Sequence, residues 1–116
     1  MFKIKRIYIT AERTDGCRVL VDRIWPRGVS KEKARIDVWM KEIAPSDRLR
    51  KWFAHDPKRW VEFQKRYCKE LKAKTQLIDQ LRGLEKKHRT VTLIYSARDD
   101  QRNQAVALCA FLHGST

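Results

Sequence analysis

Asp22, Arg23, Trp25 and Arg27 crowd into one turn at the end of the stretch Arg18-Val19-Leu20-Val21-Asp22-Arg23-Ile24-Trp25-Pro26-Arg27-Gly28. Pro26 and Gly28 suffice to turn the chain, so the cationic and aromatic groups there call for another explanation. An arginine fork grips phosphate or carboxylate with two parallel hydrogen bonds. A tryptophan stacks on a base or sugar ring, and an aspartate orients a ligand hydroxyl or takes its proton. A second polar cluster, Ser96-Ala97-Arg98-Asp99, follows another apolar run. Each has a plainer use: Asp22 and Arg23 as an internal ion pair, Trp25 as a lid on the core, Asp99 as a helix cap.

His55-Asp56 is a third candidate, since a neighbouring carboxylate tunes an imidazole for acid–base work near neutral pH. The same pair can simply cap and solvate a helix start. Catalytic candidates are therefore Asp22, Asp99 and His55; candidates for holding a ligand are Arg23, Trp25, Arg27, Ser96 and Arg98. No Walker loop, GxGxxG or GxSxG occurs. Three scattered histidines and three widely spaced cysteines have neither metal-ligand nor disulfide spacing. No metal and no cofactor is expected.

The elements that must position these groups follow from periodicity. Lys3–Ile9, Arg18–Arg23 and Thr90–Tyr95 read as strands, the last two apolar throughout as in a sheet covered on both faces. Ser30 caps a short helix over Lys31–Arg35, and Ser46 caps another carrying Leu49, Trp52 and Phe53 inward. Asp56-Pro57 opens a helix with the core stripe Trp60, Phe63, Tyr67 and Leu71. Further helices run from about Gln76 to Lys87 and, capped by Asp99 or Asp100, through Ala105, Leu108, Cys109 and Leu112, before a tail from His113 to Thr116. The segment Ile36–Ile43 fits both periods and is taken as helix, with Trp39 in the core.

The expectation is one compact α/β domain over residues 1–116, with a small, at least partly parallel sheet of about three strands packed with four to six helices. The short link between the first two strands leaves an antiparallel pair open as an alternative. In open α/β sheets ligands bind beyond the carboxyl ends of the strands. Parallel strands would put the Asp22–Gly28 and Ser96–Asp99 clusters on one rim.

Twenty-seven Lys and Arg against 14 Asp and Glu give a net charge of +13 on 116 residues. Such a field draws in polyanions or anionic metabolites, though it also serves solubility. Nucleic acid binding through the basic helices is thus the alternative to a small anionic or nucleotide ligand. No window approaches a membrane span and no secretory leader is visible, so a cytoplasmic protein without membrane contact is expected.

Arg18–Gly28 together with Asp37-Val38-Trp39, Lys41–Ser46, Leu49-Arg50-Lys51, Tyr95-Ser96-Ala97 and Asn103 resembles the small bacterial YeaO-like proteins, a family of unknown function. The likeness spans almost the whole chain and implies a small cytoplasmic α/β protein with no settled activity. It adds Asn103 to the ligand-binding candidates. Two positions depart from the pattern: Cys17 stands where an aromatic is usual, and Gln104 where a histidine is expected. A glutamine hydrogen-bonds a ligand but cannot shuttle protons near pH 7, which favours binding over catalysis.

Overall fold

Four short runs rich in β-branched and aromatic residues form the sheet: β1 (Phe2–Arg6), β2 (Cys17–Leu20), β3 (Val38–Trp39) and β4 (Val91–Tyr95). They lie in the order β1-β4-β2-β3, and each neighbouring pair is parallel. The computed structural model describes residues 1–114; Ser115 and Thr116 of the expected tail lie outside the described residues. β4 is central and buried along its length, which accounts for its unbroken apolar sequence.

The antiparallel alternative fails. β1 and β2 are not neighbours; both flank β4 and run parallel to it. The link between them contains a 3-10 turn at Arg13–Asp15 and runs back over the sheet before β2 begins. Gly16 closes that link with φ 64°, and a side chain there would overlap the Thr90 carbonyl. That carbonyl accepts the Cys17 amide at 3.0 Å.

The segment Ile36–Ile43 is not a helix but strand β3 followed by a 3-10 turn at Lys41–Ile43. Arg35, in the left-handed region at φ 48°, stops the preceding helix. The free edge of β2 then captures the chain: Asp37 donates its amide to Arg18 O and Met40 donates to Leu20 O, both at 2.9 Å. A short apolar run that fits both periods is decided by such a neighbour. Trp39 is consequently 37% exposed on an edge strand instead of lying in the core.

The helices are α1 (Lys31–Ala34), α2 (Asp47–Phe53), α3 (Trp60–Lys72), α4 (Thr75–His88) and α5 (Gln104–Gly114). Ser30 and Ser46 cap α1 and α2 as their sequences predict, each hydroxyl accepting a backbone amide at 3.2 Å. Asp56 accepts the Lys58 amide at 3.0 Å, with Pro57 in a 3-10 turn that leads into α3. The cap of α5 differs from expectation. The Asp99 carboxylate is occupied by the amides of Gln101 and Arg102, so Asn103 caps α5, its Oδ1 accepting from Val106 at 3.0 Å.

One face of the sheet, through Val19, Val21, Val91, Leu93 and Tyr95, packs on the large core with Phe53, Phe63, Tyr67, Leu81 and Leu108. The other face holds a small cluster of Ile7, Leu20, Ala34 and Ile94, with Trp25, Val29 and Ile36 against it.

Candidate functional site

Because β2 and β4 pair in parallel, with Leu20 opposite Ile94, the residues after them emerge side by side. The Asp22 carboxylate accepts from the Ser96 amide at 3.1 Å and the Ser96 hydroxyl at 2.5 Å on Oδ2. Its Oδ1 accepts from Gln104 Nε2. Asp22 thus ties two strand ends to the first residue of α5. Its main-chain carbonyl accepts the Trp39 indole N–H at 2.8 Å. The residue is 8% exposed, and burial pushes its carboxyl above the usual range even though Ser96 and Gln104 stabilise the ionised form.

Beside this junction opens a cavity of about 190 Å³. Asp22, Ser96, Ala97, Asn103 and Gln104 line one side. Arg23, Ile24, Ala44 and Pro45 line another, and Arg50, Phe53, His55 and Phe63 complete it. Phe53 and Phe63 stack with centroids 4.3 Å apart, giving the cavity an apolar backing. Rigid aromatic backing with a few converging polar groups is the usual make-up of a small-ligand site.

Arg23 is not paired with Asp22. Its NH2 donates to Ala44 O at 3.2 Å and Pro45 O at 3.3 Å. Glu42 and Asp47 oxygens stand 3.9 Å from the guanidinium, beyond hydrogen-bond reach. Its Nε is buried and has no hydrogen-bond partner among the described residues. A buried guanidinium N–H without an acceptor is costly and rare.

The wall from Glu42 to Pro45 is held through its main chain. Lys74 Nζ donates to Glu42 O at 2.8 Å and Ala44 O at 3.0 Å, and Tyr67 donates its hydroxyl to Ile43 O at 2.7 Å. With Arg23 on Ala44 and Pro45, four consecutive carbonyls are each taken by a side chain. Glu70 accepts both the amide and the hydroxyl of Ser46 just beyond, at 2.9 and 2.6 Å. Burial lowers the Lys74 ammonium, against the pull of Glu70.

The structure brings together Asp22, Arg23, His55, Ser96 and Asn103 of the residues singled out in the sequence. Asn103 is 1% exposed, and besides capping α5 it donates Nδ2 to Asp99 O at 2.9 Å. Trp25 lies apart, against the small cluster on the other face of the sheet. Its indole N–H donates to Val29 O at 2.8 Å and its ring meets Trp39 edge-on at 5.5 Å. Arg27 is exposed, and its carbonyl accepts from Tyr8. Arg98 is exposed and Asp99 half-buried, and both lie outside the cavity lining. The Asp99 carboxyl is held below the usual range by the amides of Gln101 and Arg102 and by the Arg102 guanidinium.

Sequence reasoning missed Arg50 and Phe53. The available signal was the Ser46 cap, which places both on a short helix beside the strand ends. Among the described residues no three His, Cys, Asp or Glu side chains stand close enough to hold a metal ion, and no helix is long and apolar enough to cross a membrane.

The profile of the family DUF488-N3i, described as the inactive DUF488-N3 subclade, matches residues 1–116. The chain is 42% identical to the uncharacterised protein YeaO of Escherichia coli K12, over 93% of each chain. It is 40% identical to an uncharacterised Mycobacterium tuberculosis protein, over 97% of this chain and 93% of the relative. No solved structure matches the chain.

Proposed function

This chain belongs to the DUF488-N3i family, and from that premise we propose that its cavity binds a small hydroxylated anion, of the sugar-phosphate or nucleotide kind, without turning it over. The observation that carries this reading is the buried Nε of Arg23, a cavity-lining residue: it has no hydrogen-bond acceptor among the described residues, and the Asp47 carboxylate stops 3.9 Å short of it. A phosphate or carboxylate oxygen supplies the missing acceptor. Arg50, whose side chain is 46% exposed at the mouth, adds a second cation, and Asp22 receives hydroxyl protons of the ligand. Ser96 donates its proton to Asp22, so its remaining lone pairs are free to accept from the ligand.

Binding without turnover is supported by Gln104, which occupies the Asp22 carboxylate with a group that cannot titrate. The family's description as an inactive subclade supports it. The test is calorimetric titration with ribose 5-phosphate and nucleoside monophosphates at low salt. Saturable binding is expected, weakened at least about tenfold by Arg50→Ala, as for loss of a charge-assisted hydrogen bond. Absence of binding by every such ligand, or an unchanged affinity in the variant, would sink the assignment. Nucleic acid binding by the basic helices is the alternative reading, supported by the charge of +13 and the exposure of Lys58, Lys65, Lys69, Lys86 and Lys87.

A further inference from the structure

We propose that the occupant of this cavity is one end of a single-stranded nucleic acid, its terminal sugar-phosphate inside and the following phosphates lying over α2 and α3. This rests on the small-anion reading of the cavity and extends it outward. The first argument is size. At about 190 Å³ the cavity falls below the roughly 300–1,000 Å³ of pockets that enclose a drug-sized ligand. A sugar-phosphate enters; whatever it is joined to stays outside.

The second argument is what surrounds the mouth. Arg50 sits on α2, and His55, exposed with φ 56°, sits on the turn between α2 and α3. Over α2, the turn after it and α3 the cations outnumber the carboxylates. Asp47, Asp56 and Glu62 are already engaged with Arg50, Arg59 and Arg66, at 3.1, 3.7 and 3.1 Å. Arg48, Lys51, Lys58, Lys65 and Lys69 are exposed and have no carboxylate within ion-pair distance among the described residues. Trp52 fixes part of this surface in advance. The guanidinium carbons of Arg59 and Arg66 lie 5.2 and 4.1 Å from its ring centroid, and Arg59 also donates to its carbonyl. Cations held by an aromatic ring lose less freedom when a phosphate arrives.

The third argument is the combination. Asp22 at the base of the cavity asks for hydroxyl donors, and the ridge outside asks for repeated negative charge. Inorganic polyphosphate and an anionic membrane satisfy the ridge but offer no sugar hydroxyl. A polynucleotide end satisfies both, and a single strand places its last nucleotide free of a pairing partner.

The experiment compares linear and circular single-stranded DNA of one sequence, long enough to exceed the roughly 4–16 nucleotides a single-strand binding domain covers. Linear strands are expected to bind at least tenfold tighter than circles, and tighter than a nucleoside monophosphate. The affinity should fall with salt at a log–log slope of roughly −2 to −3, as for three or four phosphates at about 0.7 each. Lys65→Glu with Lys69→Glu should weaken the linear strand while leaving the monophosphate titration unchanged; the Gln variants at both positions check this with a smaller perturbation. Monophosphate binding that depends on Arg50, with circles and linear strands bound alike, overturns the end-capture proposal and leaves the cavity reading standing. No monophosphate binding overturns both. Stronger binding of polyphosphate, or of vesicles rich in phosphatidylserine, than of the linear strand overturns the choice of nucleic acid.

Discussion

On the helix-covered face of the sheet Val19, Leu93 and Tyr95 meet Phe63, Leu81 and Leu108, whereas on the opposite face Lys5, Arg18 and Thr92 converge on Asp15. Asp15 is 1% exposed and Arg18 3%. The carboxylate takes Arg18 NH1 at 2.6 Å, Lys5 Nζ at 2.7 Å and the Glu12 amide at 2.9 Å. Arg18 donates further to Ala34 O from Nε and NH2, which anchors α1 with its own cation. The first face is held by many interchangeable apolar contacts. The second adds to its small apolar cluster of Ile7, Leu20, Ala34 and Ile94 a few buried charges, each dependent on its partner. That difference explains how a helix of only four residues can cover a sheet face.

The two faces should break differently. Asp15→Ala leaves Arg18 buried without its carboxylate and Lys5 with Glu12 alone, and should cost about 3–5 kcal/mol in urea unfolding at neutral pH. Burial alone would raise the Asp15 carboxyl, but the hydrogen bonds from Lys5, Glu12 and Arg18 outweigh it and hold it below the ordinary 3.8. Its contribution is therefore fully present above about pH 3.8 and lost as the pH falls through the lower native value. The cost of Asp15→Ala should shrink accordingly in acid. Leu93→Ala, fully buried on the apolar face, should cost about 2–5 kcal/mol, with no such pH dependence. Equal pH dependence of the two variants would refute the contrast.

Asp22 tests a third situation, a buried carboxylate proposed to receive a ligand's hydroxyl protons. Its native carboxyl lies above 3.8, so ionising it opposes folding. The penalty is absent below the ordinary value and complete once the pH exceeds the native one. Asp22→Asn should therefore raise Tm by a few degrees at neutral pH, with the gain fading towards pH 4, while binding of the monophosphate is lost. Gln104 can turn its amide to match the new side chain. A variant that both loses stability and binds normally would contradict the placement. The smallest effect belongs to the surface: Arg66→Ala removes an exposed pair with Glu62 and a contact with the Trp52 ring and should change stability by no more than about 1.5 kcal/mol.

The apolar face was legible in the sequence and the polar face was not. Trp60, Phe63, Tyr67 and Leu71 announce their side of α3 by spacing alone, and the apolar run before Ser96 announces a central strand. Nothing in the spacing of Lys5, Asp15 and Arg18 announces that they meet, because the link that brings Asp15 over β2 is irregular. The rim was foreseeable, since parallel strands place Asp22 and Ser96 side by side. The partner of Asp22 was not: charge suggested Arg23, while the geometry of α5 delivers Gln104. The β3 edge escaped because two residues carry too little periodicity to outweigh a helical reading.

The hold on the carbonyls of residues 42–45 has a consequence for how such a pocket can change. Lys74 and Tyr67 belong to the hairpin of α3 and α4, and they grip peptide oxygens, not the side chains of Ala44 or Ile43. Any residue that fits sterically can occupy those positions without moving the wall. The contour of the cavity wall is thus set by two side chains outside the lining together with Arg23 from within it. Its lining can be respecified one residue at a time while the frame stays put.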